Sequence, residues 1–444
     1  MDKQTLKNKI QEAVDKRRDE IICLGEEIYK NPETGFKEFK TSKLVINKFG
    51  KLGLDYMGFD NIPGIKVTLD TGRKGPSVAI LGELDAIICP THPDCDRDTG
   101  AVHACGHNMQ ISAIFGAAAG ILDSGALGRL CGKIHFIAVP AEEYIEVEYR
   151  MGLREKGIIK YLGGKPELLH RGVFDDVDIC MMVHAGSPEG KFTLEPSCNG
   201  CLVKKVKYMG KASHAGGAPE KGINALYAAN IGLMAINALR ETFAENEYIR
   251  VHPIITKGGD IVNVIPDDVR METFVRGKTM DDIINANKKV NRALLGGAVA
   301  MGACVEIEDI PGYFPLTNDK NLASLARKVM AELVAEDEIL YRDHAKGSTD
   351  LGDLSSLMPV IHPFVSGFRG QHHGADFQIS DKDTAYLLGA KLLSCMAAEL
   401  LWDDGSTAAD IIREYKPVFE SKVEYLEFAD KLYSKKLFNG NDVL

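Results

Sequence analysis

The sequence predicts an α/β protein in which a larger domain with a mainly parallel sheet carries an inserted, ferredoxin-like α+β domain. Three observations lead there. The chain has 444 residues, beyond the size at which one hydrophobic core usually stops growing, so two domains are expected. Strand-like apolar runs alternate with helical stretches in the first part of the chain and again after Pro315, the pattern of a parallel sheet. Between Pro196 and Pro311 the order becomes strand, helix, strand, strand, helix, strand. The boundaries are 1–195 with 312–444 for the larger domain and 196–311 for the insert.

Taken in order, Ile10, Val14, Ile21, Leu24 and Ile28 stand at near-helical spacing, and Asn31-Pro32 breaks the helical run. Ile65 to Leu69 and Ser77 to Leu81 read as strands. Met109 to Leu122, small and apolar, suits a helix buried against a sheet, and Lys133 to Val139 and Val177 to Val183 read as further central strands. In the insert the strands are Cys201–Tyr208, Ile249–Thr256, Val269–Arg276 and Ala303–Glu308, with helices Gly222–Arg240 and Met280–Ala298. The charged segment Ala408 to Lys436 is expected to be helical.

A composition 45% hydrophobic and 26% charged is that of an ordinary globular chain. The net charge of −10 gives no general attraction to phosphate backbones or anionic lipid surfaces, so neither nucleic acid nor membrane is an expected partner. The charged N-terminal stretch has no apolar signal core, and the ten scattered cysteines fit reduced thiols; both readings point to the cytoplasm. Cys198 and Cys201 have C-x-x-C spacing, but one such pair alone is read as ordinary strand cysteines.

The densest chemical signal is HACGHN, in which His103, Cys105 and His107 occupy alternate positions before the buried helix. Alternate side chains of an extended segment point the same way, so Cys105 and His107 can converge on one ion, and thiolate with imidazole suits zinc or a related transition metal. The strand Lys133–Val139 runs through Pro140 and Ala141 into Glu142 and Glu143. Strand ends are where open α/β sheets place their sites. One carboxylate of such a pair can bind metal while its neighbour takes a proton from water. His184 ends another strand, and His372 and His373 lie in a glycine-rich loop.

The segments NPETGFKE, GELDA, HACGHN, PAEE, GKASHAGGAPEKGINAL, GGDIVNVIPD and GSTDLGDLS occur in one order between about residues 20 and 395. Together they resemble the aminoacylase and carboxypeptidase G family of metallopeptidases, in particular its amidohydrolase branch. The resemblance implies two divalent metal ions per subunit, zinc or manganese, with Cys105 bridging, His107 and His184 completing one ion, and Glu143 and His373 the other. His373 is preferred to His372 because the family pattern places Phe four residues after the ligand, here Phe377. Glu142 resembles the general base, His214 the group that stabilises the oxyanion, and Asn263 and Arg276 the groups that hold the substrate carboxylate.

The activity implied is hydrolysis of an amide bond in an N-acyl amino acid or similar small conjugate by metal-activated water. Cleavage of a dipeptide, and a binding protein that has lost catalysis, are the alternatives. The resemblance also implies a homodimer or higher homo-oligomer formed through the insert, with His214 reaching the partner's site. Departures from the branch are Asn108 and Glu83, each at a position often held by Asp. Two extra segments, CPTHPDCDRDTGAV and YIEVEYRMGLREKG, follow GELDA and PAEE.

Overall fold

The computed structural model describes residues 2–186 and 188–443, which fall into two units. Unit 1 runs to Ser197 and takes in Thr317–His344 and Asp353–Glu420; unit 2 comprises Cys198–Leu316, Ala345–Gly352 and the segment from Ser421.

Unit 1 opens with helices α1 (Lys3–Lys16), α2 (Arg18–Tyr29) and α3 (Phe39–Lys51). The Asp2 carboxylate accepts a hydrogen bond from the Thr5 amide at 2.7 Å and caps α1, whose Leu6, Ile10 and Val14 are buried along one face. Strands β1 (Tyr56–Phe59), β2 (Ile62–Asp70) and β3 (Ser77–Glu83) follow, then α4 (His107–Asp123), β4 (Lys133–Val139), α5 (Val147–Glu155), α6 (Gly164–His170) and β5 (Ile179–Met181). The sheet order is β1, β2, β4, β3, β5 and Val360–Ile361, and the last four run parallel. Every residue of α4 from His107 to Ile121 is buried, because β3, α1, α2 and the helix Gly389–Leu400 surround it. Small residues permit this closeness: a Cβ on Gly120 would lie 2.6 Å from Val14 Cγ2.

A buried ion pair ties the first helix to a late one. Lys7 Nζ lies 2.6 Å from Glu399 Oε1, both about 2% exposed, and Lys3 Nζ reaches Oε2 at 2.9 Å. Burial alone would push the Glu399 carboxyl up, but the two lysines outweigh it and hold the group below 4.5. A depressed folded value contributes stability above the unfolded one, lost as pH falls through the folded one. Urea unfolding of wild type and Glu399→Gln should therefore differ at pH 7 and converge below pH ~4. A difference that grows on acidification would contradict the pairing.

Unit 2 contains β6 (Gly200–Met209), α7 (Ala225–Ala238), β7 (Arg250–Val251), β8 (Ile254–Lys257), β9 (Asp268–Gly277), α8 (Met280–Met301) and β10 (Cys304–Pro311). The single strand expected over Ile249–Thr256 is divided. Pro253 lacks an amide hydrogen and cannot continue the ladder, so β7 and β8 pair with β9 separately. Thr279 and Asp282 form a capping box that starts α8.

The segment after Glu420 departs from an all-helical expectation. Helix α9 (Lys422–Leu432) leads into strand β11 (Ser434–Asn439), which pairs antiparallel with β10. The sheet order becomes β7, β9, β6, β10, β11. This C-terminal segment, grouped with the larger domain in the sequence reading, clusters with unit 2. No helix among the described residues is long and apolar enough to cross a membrane.

Candidate active site

Four chain segments meet at the carboxyl ends of the parallel strands in unit 1: Glu83 ends β3, Glu142 and Glu143 follow β4, His184 follows β5, and Cys105 and His107 precede and begin α4. Gly106 makes the last junction possible. Its φ of 85° is left-handed, and a Cβ there would stand 2.5 Å from that of Ala185. The turn sets Cys105 and His107 toward the same interior.

Cys105 Sγ lies 3.4 Å from His184 Nε2 and 3.4 Å from His373 Nε2. Cys105, His107 and His184 form one cluster, with ligand atoms within 4.8 Å of one another; Cys105, Glu143 and His373 form a second, and Glu83, His107 and Glu142 a third. The histidine tautomers follow from their outer partners. His107 Nδ1 donates to the Asp85 carbonyl at 2.8 Å and His184 Nδ1 to that of Ala185 at 3.0 Å, so both Nε2 lone pairs face inward. The His373 amide donates to the Ala104 carbonyl at 2.9 Å, which pins that loop at a φ of 62°.

His107 Nε2 is 3.1 Å from Glu83 Oε2 and Glu143 Oε1 is 2.9 Å from His373 Nε2, yet neither His107 Nε2 nor Glu143 Oε1 has a partner in hydrogen-bonding geometry. Groups that converge without bonding one another fit coordination of a shared cation. Glu83, Asp85, Glu142 and Glu143 are all buried with Cys105, a concentration of acidic groups that calls for positive charge. Burial raises the Cys105 thiol, but positive charge on the facing His184 and His107 outweighs it and holds the group well below its ordinary value; with both rings neutral, a bound cation would act in the same direction.

A layer of residues that sequence reasoning did not select supports these groups. Asp85 Oδ2 accepts from the Glu143 amide at 2.8 Å, while its Oδ1 lies 3.3 Å from His107 Nδ1. Lys165, fully buried, pairs with Glu83, and Gln110 donates to the same carboxylate at 2.8 Å. Burial would raise Glu83, but Lys165 and His107 hold it near 2. Arg150, also fully buried, donates to the carbonyls of Glu143, Ala141 and Leu162, the last at 2.7 Å. Glu83 and Asp85 alternate at a strand end, a signal that could have found them. Lys165 lies 82 residues from its partner and carries no local signal. Lys165→Met strands the Glu83 charge and should cost about 3–5 kcal/mol of unfolding free energy; a denaturant midpoint equal to wild type would exclude the pair as a structural element.

The remaining histidines are placed differently. His372 packs its ring 5.6 Å from that of His184 and 5.1 Å from Phe377, and belongs to none of the three clusters. His103 is buried with both nitrogens unpartnered, and burial pushes it down to about 3, so it is neutral near pH 7. Asn108 faces away from the clusters: its amide donates to the Gly25 carbonyl and the Tyr386 hydroxyl.

In unit 2, His214 and Asn263 lie on neighbouring segments, joined by a hydrogen bond that the Ala215 amide donates to the Asn263 carbonyl at 2.9 Å. His214 Nδ1 accepts from the Gly216 and Gly217 amides at 3.1 and 2.9 Å, which leaves the proton on an exposed Nε2. Arg276, on β9, donates to Ser348 Oγ at 3.2 Å and sits 5.3 Å from the Phe274 ring centroid.

Acid, thiolate and imidazole groups gathered at the strand ends of a mainly parallel sheet place the protein with hydrolases of the metallopeptidase type. Comparison with known proteins narrows this. The profile of peptidase family M20/M25/M40 matches residues 79–399, and the chain belongs to that family; it is a hydrolase of amide or peptide bonds. Its sequence is 29% identical over 378 residues to an Xaa-Arg dipeptidase of Mus musculus, covering 83% of this chain and 77% of that protein. It is 25% identical to an IAA-amino acid hydrolase of Arabidopsis thaliana, covering 86% of each. Among solved structures, a dinuclear metal binding peptidase of the M20 family from Bacillus subtilis aligns with a TM-score of 0.64 at 20% identity, over 87% of this chain and 99% of that one.

Proposed function

We propose that this protein hydrolyses the amide bond of an N-acyl amino acid or similar small conjugate, using two divalent ions, zinc or manganese, and Glu142 as general base. The observation that carries this reading is the pair of ligand clusters sharing Cys105, with the buried Glu142 beside them. His107 and His184 would complete one ion, and Glu143 and His373 the other. Ions bound there would polarise the scissile carbonyl and acidify the attacking water.

The chain's own residues supply the rest. Glu142 takes a proton from water at its carboxylate and returns it to the departing amine nitrogen. His214 donates from Nε2 to the oxygen that gains charge in the transition state. Asn263 and the planar fork of Arg276 hold the substrate's carboxylate. Similarity to the dinuclear metal binding peptidase of Bacillus subtilis supports the metal count, and similarity to the IAA-amino acid hydrolase of Arabidopsis thaliana supports the substrate class.

Dipeptide cleavage is the second reading, favoured by the similarity to Xaa-Arg dipeptidase. A homodimer formed through unit 2 agrees with its exposed apolar side chains, Tyr227 and Met234 on α7 and Ile254 and Ile255 on β8. The test is release of free amine from a panel of N-acyl amino acids and Xaa-Arg dipeptides, before and after chelation. Chelator-sensitive turnover of acyl conjugates over dipeptides is expected. The reverse preference selects the dipeptidase, and stoichiometric metal with no turnover on either set selects a binding protein.

A further inference from the structure

The segment NPETGFKE, between α2 and α3, supplies none of the groups assigned to the chemistry, yet it grips the loop that presents Glu142 at both ends. At the near end, Glu38 Oε1 accepts from the Ala141 amide at 2.7 Å. Glu38 is fully buried, and its Oε2 has no hydrogen-bond partner among the described residues. Burying a carboxyl for the sake of one backbone amide is unfavourable unless that amide has to be held. Its own backbone is fixed, because it immediately precedes α3 and its carbonyl accepts from the Ser42 amide at 2.9 Å. At the far end, the Glu146 carboxylate accepts from Thr34 Oγ1 at 2.5 Å and from Lys37 Nζ at 2.6 Å.

The two gripped residues share an unusual backbone. Ala141 has a φ of 55° and Glu146 a φ of 51°, left-handed values in residues that carry a Cβ. An L residue disfavours that conformation by roughly tenfold, so neighbouring contacts must hold it. The Ala141 carbonyl is tied to the Gly164 amide at 3.1 Å, which leaves φ to be set by where the Ala141 amide points, and it points at Glu38. Glu143 has anchors of its own, since Asp85 accepts from its amide and Arg150 donates to its carbonyl. Glu142, between the two, takes its direction from Ala141.

We propose that Glu38 is a positioning residue for the candidate base: by holding Ala141 left-handed, it sets the direction in which the Glu142 carboxylate leaves the strand end. The proposal rests on the reading of Glu142 as general base. Burial and the charge of Asp85 raise Glu38 well above its ordinary value, toward the neutral acid. Glu38 thus serves as a hydrogen-bond acceptor, a role that glutamine can fill and leucine cannot.

The test uses the metal-loaded full chain and whichever acyl amino acid or dipeptide wild type hydrolyses fastest. Glu38→Leu should lower kcat about tenfold or more, with KM and metal content within about twofold of wild type. Glu38→Gln should stay within about threefold of wild type. Adding Ala141→Gly to Glu38→Leu should restore most of the lost kcat, because glycine takes the left-handed conformation without an anchor. A cavity left by the substitution would not be repaired in that way. Amide exchange at residues 141 and 142, a readout that needs no substrate, should accelerate in Glu38→Leu and stay slow in Glu38→Gln. Unchanged kcat or unchanged exchange in Glu38→Leu would overturn the proposal, as would absence of recovery with glycine.

Combining Glu38→Leu with Glu142→Gln separates this inference from the reading beneath it. If Glu38 acts through Glu142, the double variant is no slower than Glu142→Gln alone. A further loss of about tenfold would show that Glu38 acts elsewhere, and would overturn the positioning role while leaving the base in place. Wild-type turnover in Glu142→Gln would instead remove the base, while the exchange rates still decide whether Glu38 anchors the loop. Circular dichroism verifies folding. If Glu38→Leu does not fold, Glu38→Met, flexible and without an oxygen, takes its place.

Discussion

Glu142→Gln should retain its fold and metal content while turnover falls by about 10²–10⁴-fold. Glu142 is 6% exposed, belongs to neither cluster that contains Cys105, and has Oε2 3.8 Å from His107 Nε2. The amide keeps the shape of the side chain and removes its capacity to accept a proton. The loss should therefore appear in kcat, with KM little changed. Elemental analysis must accompany the kinetics. A variant with wild-type turnover would remove Glu142 from the chemistry, and one that loses metal along with activity would make it a ligand in the cluster with Glu83 and His107.

Cys105→Ser should have the second large effect, acting on metal rather than on proton transfer. Sγ is the one atom common to both Cys105 clusters, so its removal weakens both positions together. A neutral hydroxyl cannot replace a thiolate between two cations. Metal content after gel filtration should fall well below that of wild type, with a parallel fall in the thermal midpoint, because ligand binding stabilises the folded state. Equal occupancy of both positions in the variant would rule out a bridging thiolate. His184→Ala offers a comparison, since its Nε2 belongs to a single cluster and its loss should empty one position before the other.

The sequence made the main part of this geometry legible because the groups sit in contiguous motifs. Cys105 and His107 share one turn, Glu142 and Glu143 are adjacent, and His184 follows a strand whose apolar run marks it as central. The supporting layer was less accessible. Lys165 and Glu83, or Arg150 and Leu162, meet only through tertiary folding, and no spacing rule connects a lysine on one helix with a carboxylate 82 residues earlier. The fold shows the same division. Continuous apolar runs revealed α4, β3 and β4, which are buried along almost all of their length, whereas β11 is a strand of mixed, mostly exposed residues, SKKLFN, that exists because β10 offers an open edge.

That late strand bears on how the polypeptide reaches its native state. β11 joins a neighbour formed much earlier in the chain, and Tyr433 bonds to Glu308 across a separation of 125 residues. During synthesis β10 can pair with β6, but its opposite edge must wait unpaired while the intervening segments of the other unit emerge from the ribosome. Such long-range closure is slow, and an unpaired edge is a template for other nascent chains. Nascent chains stalled before Ser434 would expose this edge, and chaperone demand should peak over that interval of translation.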